Sequence, residues 1–325
     1  MKRKINYRNV FKISLLVNMV LLAVLTVVLL AAVTDRDVAP PAADEFMPGL
    51  EVDKQALVEL AEQFNVSVEY LQKVLPEYLV YTDSTGYVFT PLSKRLPLHP
   101  YDWDKLVYSA DRIYYEDKAF PNVSYGIDVS YYQGSIDWTA VAESGVEFAI
   151  IRVGYRGNTS GGLFVDQYAI ANLRGATAAG LDVGAYFYSQ AINEKEAREE
   201  AEFVLSLIDD YEISYPVVFD MEACTDPAER TYNLTQQERT GITEAFCREV
   251  EKAGYCPMVY GNISWLAGNI ELEELAEYPL WFAQYYVRPL LPYDFAMWQY
   301  SSSGIVPGIT GAVDLNICFD TERWL

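Results

Sequence analysis

Histidine is nearly absent: His99 is the only one in 325 residues. That scarcity argues against histidine-based triads and clustered zinc ligands. His99 itself lies between Pro97 and Pro100 in a turn-rich passage, where a surface position is expected. Cysteine is also sparse, and Cys224, Cys247, Cys256 and Cys318 show no C-x-x-C spacing of the redox or zinc kind. Four cysteines allow three pairings. Cys247, late in an expected helix, and Cys256, opening the next strand, make an easy pair, and four buried thiols are an equal alternative. Positive charge is confined to one end. Of 24 basic residues, Lys2, Arg3, Lys4, Arg8 and Lys12 fall in the first twelve, leaving 19 against 46 acidic residues. No basic patch interrupts that acidic remainder, so a nucleic-acid partner is not expected.

Charge of either sign is missing from Ile13 to Val33, a run dominated by Leu, Val and Ala. At 1.5 Å per residue such a run matches a bilayer core of about 30 Å. The expected arrangement is a cytoplasmic basic tail at 1–12, a transmembrane anchor at 13–33, and export of everything beyond to the cell surface. A cleaved signal peptide ending near Ala31-Ala32-Val33 is the competing reading, which would give a secreted chain. Residues 34–44, with Ala39-Pro-Pro-Ala-Ala-Asp-Glu, read as an extended linker. Residues 45–120 read as a small accessory or spacer domain. It would hold a helix at Lys54 to Gln63, a second at Val66 to Leu75 with Ser67 as N-cap candidate, and a hairpin around Asp83-Ser84-Thr85-Gly86.

From Tyr125 onward, apolar strands alternate with charged helical stretches. Strands are expected at Gly126–Ser130, Glu147–Val153, Asp182–Tyr188, Tyr215–Glu222, Cys256–Tyr260, Leu280–Tyr285, Phe295–Tyr300 and Val313–Ile317. The intervening helices are Trp138–Ser144, Asp166–Ala179, Lys195–Ile208 and Thr235–Ala253, and they shrink after the fifth strand. This alternation predicts parallel strands and an α/β fold, a TIM-like β/α barrel at 123–325 with reduced helices after its last strands.

The stretch Tyr215-Pro-Val-Val-Phe-Asp-Met-Glu222 organises the domain. Its continuous apolar run suits a buried parallel strand, with Pro216 tolerated at the start. Asp220 and Glu222 are spaced i, i+2, so they share a face. Neighbouring carboxyls raise one another's pKa, which is what a general acid with an ionised partner requires. Solvent-facing acids capping the strand are the plain alternative. Asp128, between Ile127 and Val129, and Asp314, between Val313 and Leu315, repeat the anomaly on separate strands. A carboxylate among aliphatics is expensive unless paired or used.

These segments resemble glycoside hydrolase family 25, the N-acetylmuramidases or Chalaropsis-type lysozymes. The resemblance rests on Gly126-Ile-Asp-Val-Ser130, Gln133-Gly134 and Ile136-Asp-Trp138, then Phe148-Ala-Ile-Ile-Arg-Val-Gly154 and Gly184-Ala-Tyr-Phe-Tyr188. It continues through Phe219-Asp-Met-Glu222, Met297-Trp-Gln-Tyr300 and Val313-Asp-Leu-Asn316. It implies hydrolysis of the β-1,4 bond from N-acetylmuramic acid to N-acetylglucosamine in peptidoglycan glycan strands. Glu222 would be the general acid, and Asp220 would stabilise the sugar cation or orient the acetamido group. Asp128 and Asp314 would support them by hydrogen bonds. Tyr186, Tyr188, Tyr260, Trp298 and Gln299 are the substrate-binding candidates, although any one of these rings is more often core than platform. No metal or cofactor is required, and a monomer is expected. Two other readings stay open: a metal-dependent hydrolase using the four acids as oxygen ligands, and a non-catalytic barrel that binds the cell wall.

Overall fold

The computed structural model describes residues 54–83 and 85–321. The expectation of a transmembrane helix is corrected at this point. Among the described residues no helix is long and apolar enough to cross a membrane, and residues 13–33 lie outside the described residues. The membrane partner and the single-pass localisation derived from that helix are therefore withdrawn. The described chain divides into two compact units, one ending at Val80 with Gly86–Phe89 added, the other formed by Tyr81–Thr85 and everything from Thr90.

The first unit holds helices α1 (Lys54–Phe64) and α2 (Val68–Val74). Ser67 caps α2, its hydroxyl accepting from the Tyr70 N–H at 3.2 Å. Asn65 takes the left-handed conformation between the helices, at φ 47°. Ala61, Leu71, Leu75, Val80 and Phe89 close a small core. Strands β1 (Tyr78–Asp83) and β2 (Gly86–Pro91) pair as a hairpin.

The second unit begins with a short antiparallel pair, β3 (Leu106–Tyr108) and β4 (Ile113–Tyr115). Its body is a barrel of β5 (Ser124–Val129), β6 (Phe148–Arg156), β8 (Asp182–Tyr188), β9 (Val217–Asp220), β10 (Pro257–Asn262), β11 (Leu280–Ala283), β12 (Met297–Gly304) and β13 (Val313–Cys318). The short β7 (Leu163–Val165) pairs antiparallel on β6. Pairing of β5 with β6 closes the ring. Helices α3 (Trp138–Glu143), α4 (Ala169–Ala178), α5 (Glu194–Ile208) and α6 (Gln236–Lys252) connect the parallel strands. After β10 come the six-residue α7 (Ile263–Gly268) and a single 3-10 turn at Leu272–Leu275. Asp137, Asn193 and Thr235 cap α3, α5 and α6 through their side chains. Gly180 and Gly254, at φ 79° and 88°, follow the ends of α4 and α6.

The expected TIM-like β/α barrel is corrected by the last strand. β13 runs antiparallel to both β12 and β5, so the molecule is a closed eight-stranded mixed barrel with flanking helices. The cause is chain length. Residues 305–312 join β12 to β13, and a parallel return needs a crossover of about a dozen residues or more. A shorter link can only turn back. Phe148, Ile150, Tyr215, Val218, Met258, Trp281, Met297 and Cys318 fill the core cluster.

Residues 90–120, read from sequence with the accessory segment, belong to the barrel unit. Leu98 bridges Tyr293, and the Asp294 N–H donates to the Pro97 carbonyl at 2.9 Å. His99 is consequently packed rather than surface-lying, 4.8 Å from Trp103 and 5.7 Å from Tyr101 between ring centroids. Burial lowers its pKa, with Asp294 opposing. All four cysteines are free thiols, Cys247 and Cys318 buried.

Candidate active site

The acids meet at one end of the barrel. Asp128 is the penultimate residue of β5, and Asp220 ends β9. Asp314 is the second residue of β13, and only the reversed direction of that strand brings it to the same end, opposite Asp128 in register. Asp220 is in register with Tyr188 on one side and Tyr260 on the other. Glu222 lies two residues past the strand, in the loop that leads to α6, and is exposed there.

Asp128 is the most tightly held of the four. Its Oδ2 accepts from Gln299 Nε2 at 2.8 Å and from Asn316 Nδ2 at 2.9 Å. Each amide is fixed in turn by an aromatic donor. Tyr260 and Tyr285 hydroxyls both donate to Gln299 Oε1 at 2.9 Å, and Trp281 Nε1 donates to Asn316 Oδ1 at 2.8 Å. With their oxygens committed as acceptors, both amides must present N–H groups to Asp128. Burial nevertheless raises the Asp128 carboxyl to about 8, with the facing Asp314 adding to the rise and the two amides opposing it. Asp314 is raised to about 6 by burial.

Asp220 has the opposite character. It is buried, and its Oδ1 has no hydrogen-bond partner. Burial, then Glu222 and Asp128, push its carboxyl well above the carboxylate range, and Arg152 pulls it back. Glu222 is also raised, by desolvation of its carboxyl. All four acids, two of them deeply buried, thus hold their protons more tightly than exposed carboxyls do.

The aromatic candidates separate by strand face. Tyr186 and Tyr260 pack partly buried on the core cluster, edge-on to Trp281 at 6.3 and 4.8 Å. Tyr188 is half-buried beside Asp220, and burial followed by Glu222 and Asp220 raises its hydroxyl. Gln299 joins the site through Asp128. Trp298 does not join it. Met297 and Gln299 face the barrel interior, so Trp298 takes the other face. Its ring is fully buried against Tyr300, and its Nε1 donates to the Gln284 carbonyl at 2.8 Å.

Three contributors carried no role in the sequence reading. Asn316 and Arg152 each interrupt an aliphatic strand, between Leu315 and Ile317 and between Ile151 and Val153, the same signal that singled out Asp128. Arg152 is clamped by Asp166, with Nε and Nη2 each 2.8 Å from Oδ2, and lies 4.9 Å from the Tyr131 ring centroid. Tyr285 lies past the end of β11 and gave no local signal. Among the described residues no group of three or more His, Cys, Asp or Glu side chains is arranged to hold a metal ion.

Comparison with known proteins bears on the same residues. Residues 127–309, more than half the chain, match the family described as Glycosyl hydrolases family 25. Lysozyme M1 of Streptomyces globisporus is 32% identical over 202 residues, covering 59% of this chain and 66% of that protein. The autolytic lysozyme of Clostridium acetobutylicum is 30% identical over 192 residues, covering 59% of this chain and 54% of that protein. This chain thus spans less than two thirds of either lysozyme. Among solved structures, the bacterial lysozyme from Streptomyces coelicolor superposes with a TM-score of 0.50 at 28% identity, covering 59% of this chain and 90% of that one. A family 25 glycosyl hydrolase from Bacillus anthracis shares the fold, with a TM-score of 0.52 at 21% identity over 65% of this chain and 95% of that one. The matched span runs from the strand carrying Asp128, through Asp220 and Glu222, to the turn just before Asp314, and on that ground the chain belongs to family 25 of the glycosyl hydrolases, as a glycoside hydrolase.

Proposed function

We propose that this chain is a lysozyme acting on peptidoglycan, cleaving the β-1,4 bond between N-acetylmuramic acid and N-acetylglucosamine, with Glu222 as general acid. The observation that carries the proposal is the end of β9. There a buried Asp220 with one unpartnered oxygen stands two residues before an exposed Glu222 whose carboxyl is raised. An acid at the open wall can reach a glycosidic oxygen, and a carboxyl that holds its proton more tightly than usual is suited to donate it. Asp128, held by two oriented amides, and Asp314 opposite it form the supporting wall.

Asp220 must be an anion when the sugar becomes cationic, yet burial and its acidic neighbours favour the protonated form. Developing positive charge reverses that preference. A unit charge about 4 Å away is worth about 4 kcal/mol at an effective dielectric of about 20. That is about a thousandfold in the ionisation equilibrium. Asp220 therefore stabilises the transition state more than the ground state, the requirement for catalysis. Its free oxygen also suits an acetamido N–H, which it would orient for attack by the substrate's own carbonyl oxygen. Attack by an enzyme carboxylate would need carboxyls about 5 Å apart, and inversion about 6.5–9.5 Å.

The test pairs chemistry with product analysis. Glu222→Gln keeps shape and loses the proton, so turnover on peptidoglycan should fall by about 10²- to 10⁴-fold. Asp220→Asn should be comparably damaging. New reducing ends should be N-acetylmuramic acid. New N-acetylglucosamine ends would make the enzyme a glucosaminidase, and full turnover in E222Q would remove Glu222 as the acid.

A further inference from the structure

Behind the end of β9 lies a buried polar chain that the reaction does not use. Ser189 directly follows β8 and is fully buried. Its N–H donates to the backbone carbonyl of Asp220 at 2.7 Å, which extends the β8–β9 ladder past the last paired residues, Tyr188 and Asp220. Its hydroxyl donates to Glu200 Oε2 at 2.6 Å. Glu200, on α5, has no solvent exposure, and its Oε1 accepts from Arg156 Nε at 2.7 Å. The remaining Arg156 nitrogens donate to the Gly161 carbonyl at 2.8 Å and the Glu196 carbonyl at 2.9 Å. One helical turn before Glu200, Glu196 Oε1 holds Arg230 Nη2 at 2.8 Å, in the loop that follows Glu222.

Stability does not explain this arrangement. Apolar side chains of similar volume usually replace a buried ion pair without loss. What apolar packing cannot supply is direction. Glu200 gives Ser189 a fixed acceptor at a fixed angle, and Ser189 is the residue that grips Asp220 by its main chain. Tyr188 and Asp220 sit side by side at that grip, so a small rotation of Ser189 is passed to the backbone that aims Asp220 and, two residues on, Glu222.

We propose that Glu200 is a positioning residue for catalysis, acting through Ser189 on the main chain of Asp220. The proposal rests on the reading of Asp220 and Glu222 as the reacting pair. Misplacing reacting groups by about 1 Å costs about a hundredfold in rate. Glu200→Gln keeps the volume but leaves one oxygen for two donors. Ser189→Ala removes the hydroxyl donor, keeps the N–H on Asp220 and leaves the Glu200–Arg156 pair intact, so it tests the link even where E200Q fails to fold.

The experiment measures kcat and KM on soluble peptidoglycan fragments for wild type, E200Q, S189A and the double variant, at a temperature where each is folded by near-ultraviolet circular dichroism. E222Q is run beside them. Both single variants should lose about 10- to 100-fold in kcat with KM within about twofold, and the double variant should be no worse than the poorer single one. A purely structural role would lower the melting temperature and leave kcat of the folded protein unchanged. Folded S189A with wild-type kcat overturns the proposal, as do losses that multiply in the double variant. Activity retained by E222Q would instead overturn the reading of the reacting pair.

Discussion

Replacing Asp314 by Asn should stabilise the barrel at neutral and alkaline pH and change nothing in strong acid. Asp314 faces Asp128 across the β13–β5 pair. Its carboxyl is raised from 3.8 to about 6, chiefly by burial. A carboxyl raised in the native state holds its proton more tightly folded than unfolded, so its ionisation favours unfolding. Below pH 3.8 both states are protonated and the penalty vanishes; it grows between 3.8 and about 6 and is complete above that. A tenfold difference in proton affinity is about 1.4 kcal/mol, so the full effect is about 3 kcal/mol. Asp314 is partly exposed, and solvent screening reduces this to about 2 kcal/mol. In a domain of this size that is about 4–8 °C in Tm. Asp314 also holds Asp128 up, and Asp128 titrates near 8, so the gain should widen a little further towards that pH. Calorimetric scans of wild type and D314N from acid to pH 9 check this. A Tm difference flat across pH, or a less stable variant in alkali, would refute the reasoning.

Arg152→Met leaves Asp166 buried with no cation and should cost about 3–5 kcal/mol, whereas R152M combined with Asp166→Asn should recover much of it. Urea unfolding compares them, and equal stability of the single and double variants would show that the ion pair is not coupled. Gly126→Ala would drive a methyl into the Phe148 ring in the barrel interior. Overpacking of that kind costs about 1–3 kcal/mol or more, read as a fall in Tm, and an unchanged Tm would mean that the ring can shift.

Much of the site was legible because carboxylates are costly in strands. Asp128 and Asp314 announced themselves as charges among aliphatics, and Asp220 and Glu222 by their spacing at the end of an apolar run. Arg152 and Asn316 carried the same signal at lower contrast. Tyr285 carried none, since a loop tyrosine reaches Gln299 only through the path of the chain between β11 and β12. Trp298 shows the limit of spacing arguments. Its motif neighbours Met297 and Gln299 face inward, and alternation sends the tryptophan outward.

By itself the sequence determined the order of strands and helices, because hydrophobic periodicity and caps such as Asn193 and Thr235 act within a few residues. It also determined the identity of the acids and the family. Tertiary structure decided what depends on direction and closure. The short link at 305–312 turns β13 around, and that reversal alone sets Asp314 against Asp128. The packing of 90–120 on the barrel, the partial burial of His99 and the hydrogen bonds that link Asp220 to Ser189 and Glu200 join residues that are not neighbours in the chain. No local pattern encodes such contacts, because each depends on where the closed barrel brings its partners.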